Sequence, residues 1–367
     1  MYQNLNNSTT STNKCNVFSM NRLFVFIAIV LLSFFTLGCD TSDADNETIT
    51  TVEEDKANIQ ASLDRIKNVF ENFKNGAFYK FANQFTNAKD NAIYEFVEML
   101  VKKFDDLVDF DKITEDNRFN FTALAGKYVW NSNSNTWNKS ANDFFLALFP
   151  SSASIENNDC EVSIITYSDK LCAIEGNSVY LPANAIIYFK KDNEQLFSTH
   201  FSASYSDYGI PEQLTANIYA RPLTFIVSFT QENASKLKFD VNIIDEIEQK
   251  NTLTISCEAS LANGVTHYSC FENMELNELK FSVIQHEISI VGTVDVKTLG
   301  NLNQTAENIN KHATFEVFYK TQKTGTLTAV DLDGNLSFYI VYKDGTKENI
   351  SLYFYTLIED IKKIFAK

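Results

Sequence analysis

The sequence predicts an α+β fold that is mainly β: a large antiparallel sheet system, an N-terminal amphipathic helical pair and a short C-terminal helix. Three observations predict it. Apolar residues recur at helical spacing as far as residue 108. From about Phe121 onward the period changes to two, and turn signals become frequent. Strands and helices do not alternate regularly, which argues against a parallel sheet. The 367 residues are 44% apolar and 13% aromatic, with 31 Phe and 16 Tyr, so the chain can fill a sizeable core. Net charge is −16 without a basic cluster, which makes a poor phosphate binder, and no nucleic-acid partner is expected. No fixed-period repeat points to a propeller or solenoid.

The first element is an address. Met20-Asn21-Arg22 precedes a fifteen-residue apolar run, Leu23 to Leu37, followed by Gly38-Cys39-Asp40. A spanning helix needs roughly 20 residues, so the run is short for an anchor and suited to a signal-peptide core. The polar stretch 1–19 resembles no part of a signal, and Met20 is an alternative start. Thr36-Leu37-Gly38-Cys39 resembles the lipobox of bacterial lipoprotein signal peptides, with Thr36 where that family usually has Leu. The resemblance implies a diacylglycerol on Cys39, cleavage before it and acylation of the new amino terminus. Residues 1–38 would then be leader. Their removal takes Lys14 and Arg22 and no acid, deepening the negative charge by two. Several acyl chains on one Cys suffice for stable membrane attachment.

Residues 39–50 are polar and acidic and read as a flexible tether. Acids soon after the Cys resemble surface-export signals of some Bacteroidota lipoproteins. Asp directly after the Cys resembles an inner-membrane retention signal of enteric bacteria, so the leaflet stays open. The Asn- and Phe-rich composition favours the first, and the expected location is the cell envelope, lipid-anchored at the outer membrane.

A helical region is expected over 51–108. Thr51-Val52-Glu53-Glu54 has the capping-box pattern. Ile59, Leu63, Ile66, Phe70 and Phe73 form one stripe, and Gly76 ends it. A second stripe, Ile93, Val97, Leu100, Phe104 and Leu107, begins near Asp90. Phe78, Phe81 and Phe85 lie between them.

The β-rich domain is expected over 115–367, with about a dozen strands. Gly126 to Trp130 and Thr136 to Lys139 flank the polar loop Asn131 to Asn135. Ile186 to Phe189 and Phe197 to Tyr205 flank Lys190-Lys191-Asp192-Asn193. Further strands are read over Leu223–Phe229, Leu237–Ile243, Leu253–Leu261, Leu279–Ile284 and Ile288–Val296, with Phe315, Val317 and Tyr319 repeating the alternation. Asp333-Gly334 and Asp344-Gly345 mark tight turns. Asn301 to Asn310 reads as a linker or a short helix. Leu357 to Phe365 is amphipathic and reads as the closing helix.

Six Cys occur. Cys15 falls in the leader and Cys39 at the lipid site, leaving Cys160, Cys172, Cys257 and Cys270. Asn263-Gly264 is the strongest hairpin signal, and a two-residue turn there sets Cys257 opposite Cys270 on a non-hydrogen-bonded pair. At about 4.5 Å between Cα atoms that pair suits a disulfide. Cys160 and Cys172 follow by elimination.

Motifs for chemistry are scarce. His286-Glu287 starts like HExxH, but Ile290 occupies the second His position. GxSxG before a helix, GxGxxG and GxxxxGK[ST] are absent, and no CxxC spacing suggests zinc. Asp331-Leu332-Asp333-Gly334-Asn335 has its Gly two places early for a calcium loop and reads as a turn. Arg65, Arg118 and Arg221 are the only Arg after the leader. Trp130 and Trp137 straddle the first loop, as a sugar-stacking platform or as cross-strand core partners.

These readings predict a lipid-anchored envelope lipoprotein with a non-enzymatic binding or structural role and no cofactor, its partner a protein, glycan or lipid. Two alternatives compete. One is a carrier of an apolar ligand in a cavity between sheet and helices. The other is an anchored glycan hydrolase, which needs two carboxylates roughly 5–10 Å apart.

Overall fold

The computed structural model describes residues 51–87, 118–152, 155–174, 176–246, 250–267, 274–332 and 335–350. The leader with Cys39, the tether, the Asp90–Leu107 stripe, Cys270, the Asp333-Gly334 turn and the C-terminal pattern lie outside these residues.

The described chain is mainly β. A helical pair comes first, α1 (Val52–Asn75) and α2 (Ala77–Asn87), then a single turn, α3 (Phe121–Leu124). The strands are β1 (Gly126–Asn131), β2 (Thr136–Ser140), β3 (Phe145–Phe149), β4 (Cys160–Ile174), β5 (Asn177–Lys191), β6 (Glu194–Tyr205), β7 (Pro211–Ala220) and β8 (Leu223–Asn233). They continue with β9 (Lys236–Asp245), β10 (Lys250–Leu261), β11 (Leu276–Gln285) and β12 (Ile288–Asp295). Two short helices intervene, α4 (Val296–Gly300) and α5 (Ala306–His312), before β13 (Ala313–Tyr319), β14 (Gln322–Leu332), β15 (Asn335–Tyr342) and β16 (Lys347–Asn349).

All sixteen strands share one sheet, in the order β16 down to β3, then β1 and β2. From β3 onward each strand pairs antiparallel with the next, while β1 runs parallel to β3 (Gly126 beside Phe145). Two-residue turns stitch the meander. At Asp192-Asn193 both residues are left-handed (φ 52° and 63°), the geometry whose twist matches the flanking strands. His286-Glu287 turns between β11 and β12, as expected for a His outside any HExxH helix. Leu332 at the end of β14 pairs with Asn335 at the start of β15.

Local chemistry sets the helices. The Thr51 hydroxyl accepts from the Glu54 amide at 3.3 Å, and the Glu54 carboxylate accepts from the Thr51 amide at 2.7 Å, completing the capping box. α1 stops at Gly76, where space selects glycine. A Cβ there would lie 2.6 Å from the Arg221 carbonyl oxygen and 2.7 Å from Pro222 Cδ. Phe78 and Phe81 belong to their own helix, α2, rather than extending α1.

The larger core forms where β8 to β15 receive α1. Ile59, Leu63, Ile66 and Val69 are 2–6% exposed and pack with Leu223, Ile255, Leu279, Val283, Ile290, Val317 and Ile340. Each such side chain stabilises by about 1.5–3 kcal/mol. Gln285 is fully buried in this core, and its Nε2 donates to the Ser62 carbonyl of α1 at 2.7 Å, fixing the helix along the sheet. Gly292 lies opposite Phe281 on one side and Phe315 on the other. A Cβ there would come within 2.4 Å of the Phe281 ring, so glycine lets the two rings meet at 5.8 Å. The opposite face is polar: Ser228 and Ser256 both donate to Asp240, at 3.5 and 2.6 Å.

A second core lies under α2. Phe78 stacks on Phe197 at 5.3 Å and Phe81 meets Phe189 at 4.5 Å, around Phe145, Phe149 and Ile164.

Several expectations are corrected. Asn263-Gly264 is not a two-residue hairpin: Leu261 pairs with Leu276, and Ala262 donates to the Glu275 carbonyl. Val265 donates instead to the Ala234 carbonyl at 2.7 Å and sinks beside Ile210, Leu237 and Leu261. Burial of Val265 against the β8–β9 turn outweighs the local turn preference. Cys257 therefore faces Phe281 and Phe239, with a free thiol, and the register that placed it opposite Cys270 is overturned. The Cys160–Cys172 pairing fails on geometry. Both lie on β4, twelve positions apart, about 40 Å along a strand, where a disulfide tolerates less than about 7 Å. Both thiols are free and buried. Val296 opens α4 rather than closing β12; of the two readings of Asn301–Asn310, the short helix is the one observed, its second half lying in α5.

Candidate functional site

A cleft of about 630 Å³ lies between the segment Arg118 to Thr122 and the middle of β4, where Tyr167, Ser168 and Asp169 line it. Three consecutive strand residues reach one cleft because β4–β5 pairing is irregular twice, between Ile164 and Thr166 and between Ser168 and Asp169. Such irregularities break the strict alternation of a strand and re-aim its side chains.

The segment opposite is shaped by two interactions. Asn120 caps α3, its Oδ1 accepting from the Ala123 amide at 3.0 Å. Arg118 binds Asp169 bidentately, Nε to Oδ2 at 2.9 Å and Nη2 to Oδ1 at 3.0 Å. The guanidinium also lies 4.2 Å over the Tyr180 ring. Arg118 is half-exposed and the Asp169 carboxylate largely buried, so the pair is a fork at the cleft's rim rather than a free charge. Hydrogen bonding to Asp169 raises the Arg118 pKa further above its ordinary value.

Aromatic residues form the remaining lining. Phe119 is buried and meets Tyr167 edge-on at 4.7 Å, while the half-buried Phe121 lies 6.2 Å from Tyr167. Burial pushes the Tyr167 phenol well above its usual range, so it stays protonated, and its buried oxygen has no hydrogen-bond partner. A group in that state costs about 1–3 kcal/mol relative to one that is satisfied.

The cleft combines polar and aromatic groups. It presents an internally balanced charge pair, hydroxyls of Thr122 and Ser168, the Asn120 amide and an aromatic wall. Among the described lining residues Asp169 is the single carboxylate, and Arg118 pairs with it.

The residues singled out by sequence fall elsewhere. Trp130 and Trp137 are cross-strand partners on β1 and β2, edge-to-face at 5.4 Å, with Trp130 buried in the α2-side core. The sugar-stacking reading is corrected, since tilted, packed indoles offer no flat platform. Arg221 sits in the β7–β8 turn and pairs with Glu194 at 2.8 Å. Asp331 accepts from the Ala306 amide at the start of α5. Burial raises the Cys160 and Cys172 thiol pKa values and pushes Cys257 up to about 12, so none is a thiolate near neutrality. Among the described residues no group of three or more His, Cys, Asp or Glu is placed to hold a metal ion, and no helix is long and apolar enough to cross a membrane.

No family model, curated protein or solved structure matches the chain.

Proposed function

We propose that this chain is a lipid-anchored bacterial envelope protein, held to the outer membrane through acylated Cys39, whose folded body acts by binding rather than by catalysis. The observation that carries the binding role is the Arg118–Asp169 cleft, ligand-sized and lined by fixed, neutralised polar groups beside aromatic rings. The carrier alternative needs an apolar cavity between helix and sheet. In the larger core that place is taken by Ile59, Leu63, Ile66 and Val69 of α1. The hydrolase alternative needs a second carboxylate facing the first, and among the described lining residues Asp169 is the one carboxylate.

The anchor is tested by growing cells with an alkynyl fatty acid. The wild-type protein should take up label, and Cys39→Ser should lose it. Label retained in Cys39→Ser would overturn the anchoring assignment.

A further inference from the structure

The cleft's composition specifies a class of ligand, and this inference rests on the binding role just proposed. We propose that it holds a neutral saccharide, with the sugar's C–H face against Phe121 and its hydroxyls on the Arg118–Asp169 fork, Thr122 and Ser168.

Charge comes first. Among the described lining residues Arg118 and Asp169 are the charged ones and pair with each other, and the chain as a whole carries net −16. An anionic ligand would meet the carboxylate and a repulsive field, while a cation finds Asp169 already held by two guanidinium hydrogen bonds. A neutral ligand pays neither cost. Hydrogen-bonding capacity comes next. A guanidinium has five N–H donors, and Asp169 takes two of them on a half-exposed side chain. The Asp169 bonds and the Tyr180 ring hold the fork rigid, so little side-chain freedom is lost when a ligand's hydroxyls dock on it. Polar lining this dense argues against a purely apolar ligand. The third feature is the ring of Phe121, half-buried at the cleft, which gives an apolar face beside the donors. A pyranose has this dual character, one face of C–H groups and an equator of hydroxyls. The volume suits a short glycan rather than a single ion.

The test uses the purified full-length protein and a panel of soluble oligosaccharides, neutral gluco-, manno-, xylo- and chito-oligomers beside anionic galacturonate oligomers, read by calorimetry. Isolated cell-wall sacculi form a separate arm, which distinguishes a wall glycan from a free sugar. At least one neutral class should bind, with affinity little changed between 50 and 300 mM salt. Ser168→Trp, which fills the cleft without removing the fork, should weaken binding at least tenfold, and Phe121→Ala should weaken it several-fold. Circular dichroism checks that both variants fold. Neutral saccharides that bind Ser168→Trp as well as wild type would overturn the site. Binding of the anionic oligomers alone would overturn the ligand class and leave a binding protein. With no binder in the panel, the saccharide assignment falls. If cells carrying Ser168→Trp then also match wild type where the deletion strain shows an envelope defect, the binding role at this cleft falls with it.

Discussion

The two ends of the sheet solve the same burial problem differently. From β8 to β15 a single 24-residue helix lays one regular stripe on the apolar face of the sheet. From β1 to β6 the cover is a shorter helix, α2, with an aromatic-rich core. The strands there include a parallel pair and a β4 whose pairing slips twice. Pairing from β8 to β15 also shifts, but near strand ends, so the alternation along the strand middles fills a core. The irregular end leaves Arg118, Tyr167 and Asp169 around a cleft. One end is a filled scaffold, and the other holds the cleft to which we assign binding.

The largest effect should come from the scaffold. Ile66→Ala removes a side chain that is 2% exposed beneath α1, and a loss of about 2–5 kcal/mol in urea unfolding is expected. A loss below about 1 kcal/mol would mean that α1 rests on the sheet without being built into it.

Gly292→Ala sharpens the same point on the sheet side. The added methyl meets the Phe281 and Phe315 rings in a filled core, and overpacking there should cost about 1–3 kcal/mol. An unchanged midpoint would show that the core can yield.

Alkaline pH probes the core through Cys257. Burial lifts its thiol from 9.0 to about 12, so the folded state keeps a proton that the unfolded state releases. That contribution is intact below about pH 9 and is lost as pH rises toward 12. Under reducing conditions, wild-type stability should fall more steeply over this window than that of Cys257→Ala. Parallel curves would place the thiol in contact with water.

The scaffold was legible in the sequence because its signals are local and periodic. The Thr51 capping box, the Ile59-to-Phe73 stripe and the turn within Lys190–Asn193 are each written within a few residues, and the Trp130–Trp137 pair follows from loop length. What failed was settled by distant contacts. Asn263-Gly264 reads as a hairpin, yet Val265 pairs with Ala234, thirty-one positions away. Elimination pairs Cys160 with Cys172 and ignores that one long strand holds both. The cleft left no spacing to find: Arg118 and Asp169 are 51 residues apart, and Tyr167 reaches it through slips in strand pairing. The scarcity of Arg was its sole sequence signal, since each Arg after the leader merited a search for its carboxylate.

The division between the scaffold and the proposed recognition cleft is tested most directly by the unfolding free energy of Ser168→Trp, measured beside Ile66→Ala in the same urea titration. Ser168 is exposed at the cleft and outside both cores. The account predicts that Ser168→Trp stays within about 0.5 kcal/mol of wild type, as surface substitutions do. A loss approaching that of Ile66→Ala would contradict it, because the cleft would then be part of what holds the fold together.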